Sequence, residues 1–163
     1  MISKNKTRVA VGMSGGTDSS AVAAMLVDKG YDVIGLTAHM WKDGSRCCSI
    51  EDVDRARGVC SYLDIRHYVV NAQEIFTEKI VNPFVDGYAS GETPSPCIKC
   101  NSFIKFGFLL DRAEQLDCDF VATGHYAKIK KINKKYHLFC AQDPEKDQSY
   151  FLHRLSQYQL SNM

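Results

Sequence analysis

Val9-Ala10-Val11-Gly12-Met13-Ser14-Gly15-Gly16-Thr17-Asp18-Ser19-Ser20 is the stretch on which the reading of this chain turns. Its apolar opening suits a buried strand, its glycine-rich middle a tight turn, and the pattern from Ser20 to Lys29 a helix. Strand, glycine turn and helix in that order form a phosphate site. Glycines let the backbone approach an anion, and the helix start points unpaired N–H groups and a positive dipole end at it. Gly15 and Gly16 supply backbone conformations closed to other residues, and Ser14, Ser19 and Ser20 add hydroxyl donors. Asp18 needs a separate reason, because a carboxylate beside a phosphate repels it unless Mg2+ lies between them. It is read as the magnesium and phosphate organiser, and secondarily as the helix N-cap.

The turn is not a Walker loop, since the chain has no G-x-x-x-x-G-K-[ST]. Ser-Gly-Gly-x-Asp-Ser resembles instead the PP-loop of ATP pyrophosphatases, which split ATP into AMP and pyrophosphate while adenylating a substrate. Two glycines alone fit any tight strand-to-helix connection; the whole hexapeptide between strand and helix points to ATP.

The rest of the chain is consistent with one soluble α/β domain. It has 163 residues, enough for one core. Net charge is +1, so any claim on nucleic acid rests on local patches. No apolar run approaches the roughly 18 residues of a membrane span, and Met1 to Arg8 holds no apolar signal core. No membrane partner and a cytoplasmic location are expected. Seven cysteines in such a chain argue for metal or thiol chemistry over a disulfide framework.

Working outward, Arg8 to Val11, Asp32 to Thr37, His67 to Asn71 and Asp119 to His125 read as strands. Helices are expected at Ser20 to Lys29 (stopped by Gly30), Ser49 to Leu63, Ala72 to Val81, Pro83 to Tyr88 and Ser102 to Leu116. Ser49 and Asp52 form the expected capping box of the second. Strand–helix alternation predicts an open parallel sheet with helices on both faces. A hairpin about Asn133-Lys134 and a final helix from Ser149 to Leu160 should follow. Its five lysines suit either phosphates or protection of a sheet edge. The end of the second strand, at Ala38, should lie beside the loop; Trp41 and His39 read as rim residues more readily than as base-stackers. Cys47 and Cys48 read as structural thiols and Cys60 as core.

Gly91 to Pro96 is a stiff loop that delivers Cys97-Ile98-Lys99-Cys100-Asn101 to a helix start. There the dipole and Lys99 favour a thiolate. A lone C-x-x-C leaves three readings open: a redox pair, half of a metal site, or a nucleophile with a neighbour. At the end of the fourth strand, Gly124 suits close approach to a nucleotide, and His125 is as readily structural as functional.

Beyond the loop, Cys47-Cys48-Ser49 with Glu51-Asp52-Val53, Thr93-Pro94-Ser95-Pro96 with Cys100-Asn101, Ile104-Lys105-Phe106, Ala122-Thr123-Gly124-His125-Tyr126 and Lys146-Asp147-Gln148-Ser149-Tyr150-Phe151-Leu152 are together similar to the tRNA-specific 2-thiouridylase (MnmA) family. The resemblance covers almost the whole chain. It implies an adenine-nucleotide alpha-hydrolase-like fold and ATP-dependent 2-thiolation of the wobble uridine of tRNA: AMP transfer to the C2 oxygen, then displacement of AMP by persulfide sulfur. It places ATP at Gly12, Met13, Ser14, Gly15, Gly16, Thr17, Asp18 and Ser19, with Ala38 at adenine and Gly124 at the nucleotide. Cys100 takes the place of the nucleophilic cysteine. Ser95, Pro96 and Cys97 match the segment meeting the target base, and Lys146, Asp147 and Gln148 a second tRNA contact. A persulfide sulfur-donor protein is the implied further partner. Many members carry Asp where this chain has Cys97, which leaves open a 4Fe–4S cluster on Cys97, Cys100 and a third cysteine. The family continues into a tRNA-binding middle domain and a C-terminal β-barrel beyond Met163. Residues 1–163 are therefore expected to be its ATP-binding domain, with slow adenylation at best and no complete sulfur transfer alone. Another PP-loop ligase and an inert nucleotide-binding module are the rival readings.

Overall fold

The computed structural model describes residues 6–41 and 50–163; Cys47, Cys48 and the expected cap Ser49 lie outside them. Four strands, β1 (Arg8–Gly12), β2 (Asp32–His39), β3 (Arg66–Asn71) and β4 (Phe120–Ala122), form one parallel sheet in the order β3-β2-β1-β4. β1 and β2 are almost wholly buried, which is why they read as continuous runs of Val, Ala, Ile and Leu rather than alternating patterns. The chain steps outward from β1 to β2 to β3, then returns to the other side of β1 as β4. That reversal puts a topological switch between the carboxyl ends of β1 and β4, where open α/β sheets bind ligands.

Helices cover both faces, as expected. On one side α1 (Thr17–Asp28) and α2 (Ile50–Tyr62) bury Ala23, Ala56 and Cys60 against Val11, Met13 and Val33. On the other, two helical runs, α3 (73–89) and α4 (96–115), bury Ile80, Ile104, Leu109 and Leu110 against Ala10, Ile34, Leu36 and Ala38. Each of these runs widens into a π-helical stretch, Thr77–Val81 in α3 and Asn101–Phe108 in α4. In α3 the wide turn precedes Pro83, which has no N–H to donate and crowds the carbonyl four residues back. The interruption expected at Pro83 is thereby absorbed and the helix runs through it.

Three other boundaries depart from expectation. α1 begins at Thr17, three residues early, with Gly16 as its N-cap in extended backbone (φ −93°, ψ 168°). Asp18 is therefore not the cap but sits inside the first turn. α4 begins at Pro96 with Ser95 as its N-cap, because proline is well suited to a first helical position. β4 spans only Phe120–Ala122, and Thr123, Gly124 and His125 leave the sheet in a turn.

A second, smaller core holds the C-terminal part. β5 (Lys128–Ile132) and β6 (Lys135–Phe139) form the expected hairpin, with Asn133 and Lys134 both at positive φ, the conformation a two-residue type I′ turn demands. Lys130 and Lys131 lie over the rings of Phe139 and Tyr136. The single final helix expected over 149–160 is instead a 3-10 turn, Ser149–Leu152, and a short α5 (Gln157–Ser161). Ser156 restarts the helix through a full capping box with Gln159. Leu152, Leu155 and Leu160 pack with Phe106 of α4, fastening this unit to the main domain.

Candidate nucleotide site

The glycine turn is held open by its own serines. Ser19 is buried, and its hydroxyl donates to the Gly16 carbonyl (3.1 Å) while accepting from the Ser14 hydroxyl (3.2 Å) and the Ser14 N–H (3.3 Å). The Gly16 N–H donates to Ser14 Oγ (3.4 Å). No side chain caps α1, so the first-turn N–H groups face outward without a cap acceptor. Gly15 has φ +75°, and a Cβ there would lie 2.9 Å from Asp52 Cα in α2. Only glycine serves both the conformation and the contact.

From beneath, the loop is tied down by a buried relay. The Thr37 hydroxyl donates to the Met13 carbonyl (2.9 Å), so its oxygen accepts from His67 Nε2–H (2.8 Å). Burial, and secondarily Arg57, holds the His67 imidazole below its ordinary pKa, which favours the neutral ring; in that form the relay places the proton on Nε2.

The opposite wall comes from β4 and α4. Gly124 approaches α1 so closely that a Cβ would lie 2.8 Å from both Asp18 Cβ and the Ser19 nitrogen. A cleft of about 170 Å³ opens between loop and wall, lined among others by Gly12, Ser14, Asp18, Ala38, Lys105 and Gly124. His125 lines it too. Its Nδ1 is 2.8 Å from Thr123 Oγ1 and its Nε2 3.5 Å from Lys105 Nζ. Burial, with Lys105 second, lowers its pKa to about 4.

The structure brings Gly12, Met13, Ser14, Asp18, Ser19, Ala38 and Gly124 around this one cleft. Gln148 also lines it; its backbone N–H donates to the Tyr126 carbonyl and its side-chain oxygen accepts from the Tyr126 N–H. Tyr126 in turn donates its hydroxyl to Asp18 Oδ1 (3.1 Å) and lies beneath Lys146 Nζ at 5.4 Å. Asp147 points inward: its carboxylate accepts from Ala141 N–H, Ser149 N–H and the Ser149 hydroxyl, bonds that lower its pKa, the one from Ala141 most. Trp41 packs edge-on against Phe76 at 6.1 Å and His39 meets the Gln73 amide, the rim placement expected of both.

Cys97 is exposed and Cys100 half-buried against the core cluster that includes Ala38, Met40 and Ile104. Those three residues also line the cleft. Cys100 precedes Ile104 and Lys105 by one turn of α4, about 6 Å along the axis, and so lies on the same side of the sheet as the cleft. Ser95 and Pro96 open α4 beside it. Asn101, the next residue, is buried and donates to the Phe151 carbonyl (3.0 Å), binding α4 to the 149–152 turn. A 4Fe–4S cluster requires at least three converging donors. Among the described residues no group of three His, Cys, Asp or Glu side chains is placed to hold a metal, so the donors described here do not fit one.

Lys105, Thr123, Tyr126, Thr37 and His67 were not singled out by motif reading as nucleotide-site residues. The signal for Lys105 lay in its position, five residues after Cys100 on one helix; the others act through contacts distant in sequence.

A glycine turn stripped of cap side chains, set at the switch point of a parallel sheet over an acidic side chain, defines a nucleotide-binding domain of the PP-loop class. The model of the tRNA methyl transferase HUP domain family matches residues 7–163, and the chain belongs to that family. It is 46% identical over 162 residues to the tRNA-specific 2-thiouridylase MnmA of Clostridium kluyveri, and 48% identical over 164 residues to that of Clostridium beijerinckii. These alignments take in 95% and 96% of this chain but only 46% of each relative; the chain spans about half the length of the curated relatives it matches. Among solved structures it is similar to the U34-tRNA thiolase NcsA from Methanococcus maripaludis, determined with its 4Fe–4S cluster. The TM-score is 0.56 and the identity 27%, over 76% of this chain and 40% of that one. No described helix is long and apolar enough to cross a membrane.

Proposed function

We propose that this chain is the ATP-binding, adenylating part of a tRNA-uridine 2-sulfurtransferase. The observation that carries the reading is the placement of Cys100 one turn from Ile104 and Lys105, which line the cleft that also contains the loop.

In this reading the uncapped N–H groups of α1 and the backbone of Gly15 and Gly16 take the phosphates of ATP, and Ala38 borders the adenine. Asp18 is the carboxylate that would hold Mg2+ against those phosphates. A uracil C2 carbonyl has no leaving group. Its oxygen attacks the α-phosphorus, pyrophosphate departs, and C2 then carries AMP. Attack on C2 by the terminal sulfur of a protein persulfide expels AMP. A thiolate, here Cys100, then attacks the inner sulfur, closes a disulfide with the donor and leaves sulfur on the base. Ser95, Pro96 and Cys97, at the start of α4, would meet the target base, while Lys146 and Gln148 would meet tRNA beside the cleft. The partners are tRNA and a persulfide-bearing donor protein.

ATP–pyrophosphate exchange tests the reading. Exchange that depends on added tRNA supports it. Exchange driven by a small carboxylic acid, or ATP binding with no tRNA-dependent exchange in a chain of the relatives' full length, refutes it.

A further inference from the structure

We infer that Lys105 is the cation that meets the nucleotide's phosphates, and that His125 is a positioning residue that holds its ammonium in the cleft without neutralising it. The inference rests on the ATP reading above and adds to it two residues outside the loop.

Among the described residues lining the cleft, Lys105 is the one with a fixed positive charge. Asp18 lines the same space, so a polyphosphate there meets a carboxylate and needs cations to offset it. Lys105 takes part in none of the ion pairs among the described residues. Its partner is instead His125 Nε2, at 3.5 Å. An ammonium has only hydrogens to offer, so Nε2 must present its lone pair. The ring proton then sits on Nδ1, from which it is donated to Thr123 Oγ1 at 2.8 Å. This tautomer exists only in the neutral imidazole, and burial disfavours the charged form. A carboxylate in the same place would orient the lysine but cancel its charge; a neutral imidazole orients it and leaves the charge for a ligand.

Local structure supports the aim. Lys105 lies in the π-helical stretch Asn101–Phe108, whose wider turn brings residues four and five apart into line. Ile104 and Lys105 thereby share the cleft side of α4 with Leu109. The His125 ring is braced from behind by Phe106, centroid to centroid 5.7 Å. Gly124, which fixes where the 123–125 turn sits against α1, also fixes where His125 stands.

Binding of ATP and of adenosine, each with Mg2+, by isothermal titration calorimetry decides the matter, with circular dichroism confirming that every variant folds. The wild type must bind ATP; if it does not, the nucleotide reading itself fails. Given binding, Lys105→Met should weaken ATP about tenfold or more, the scale of one lost charged hydrogen bond, and leave adenosine within about twofold. Lys105→Arg should restore most of the difference. His125→Leu should weaken ATP as Lys105→Met does, His125→Gln, which keeps an acceptor, should not, and the double variant Lys105→Met/His125→Leu should be no worse than either alone. An unchanged preference for ATP over adenosine in Lys105→Met overturns the role of Lys105 while leaving the nucleotide reading standing. Additive losses in the double variant overturn the positioning role of His125.

Discussion

Replacing His125 with glutamine should remove most of one acid-sensitive contribution to stability. Burial, and then the charge of Lys105, takes the imidazole from an ordinary 6.5 down to about 4 in the folded protein. An unfolded chain takes up the proton near 6.5, so between pH 6.5 and 4 the unfolded state binds more protons than the native one. Stability contributed by this group is therefore complete above pH 6.5 and is lost as pH falls toward 4, below which it changes no further. Each pH unit inside the window is worth about 1.4 kcal/mol, and the partly exposed ring leaves about 2–3 kcal/mol in total. His125→Gln keeps an acceptor for Lys105 but cannot titrate. Urea unfolding of both proteins at pH 7, 6, 5 and 4 measures the effect. His67 and the carboxylates titrate in both chains and cancel in the difference. With a slope near 2 kcal/mol/M, the wild-type midpoint should lose about 1 M relative to the variant between pH 7 and pH 4. Parallel midpoint curves across that range would refute a neutral, buried His125.

Three further outcomes follow from the same geometry. Gly124→Ala puts a Cβ 2.8 Å from Asp18 Cβ and the Ser19 nitrogen; as the latter is backbone, α1 must shift, costing about 1–3 kcal/mol in thermal unfolding and about tenfold or more in ATP affinity; an unaltered affinity would separate the loop from the ligand. Thr37→Val keeps the shape but strands the Met13 carbonyl and His67 Nε2–H, so it should cost about 1–3 kcal/mol, whereas Thr37→Ser should restore most of it; equal losses in both variants would show that the hydroxyl relay contributes nothing. Cys100→Ser should leave ATP affinity within about twofold, because Cys100 packs against the core cluster one turn from the cleft residues and does not line the cleft itself, a smaller change than one lost hydrogen bond; in a chain of the relatives' full length it should abolish tRNA thiolation, and retained thiolation would strip Cys100 of its role.

The first strand, loop and helix could be read directly because each is specified locally: a Val-Ala-Val run that only a buried strand explains, glycines at the turn, and Gly30 at positive φ ending α1. The hairpin was equally plain, since Asn133 is among the residues that most readily tolerate positive φ. Boundaries failed where two local rules competed. Serine and aspartate outrank glycine as helix caps, which suggested a later start for α1; but the Ser14 and Ser19 hydroxyls are spent inside the loop and Gly16 is left to cap. The 149–160 stretch has continuous amphipathic spacing, yet the Ser156–Gln159 capping box breaks it. The π-helical stretch of α4 has no spacing signature in the sequence, and that of α3 is signalled only by the Pro83 that follows it.

The contacts that turn these elements into a site are of another kind, and Tyr126 shows why motif reading missed them. Its hydroxyl reaches Asp18, 108 residues away; its backbone exchanges two hydrogen bonds with Gln148; its ring lies under Lys146. The segment expected to meet phosphate and the segment expected to meet RNA thus touch through a residue neither motif contains. Strand order makes this possible. β4 returns to the edge of β1 opposite β2, which delivers the 123–126 turn to the N-terminus of α1, and the hairpin that follows folds back to set 146–148 alongside. Local propensity carries no information about that return. What the sequence does carry is its requirement, Gly124, whose missing Cβ lets the turn approach α1 closely enough for Tyr126 to reach a carboxylate 108 residues away.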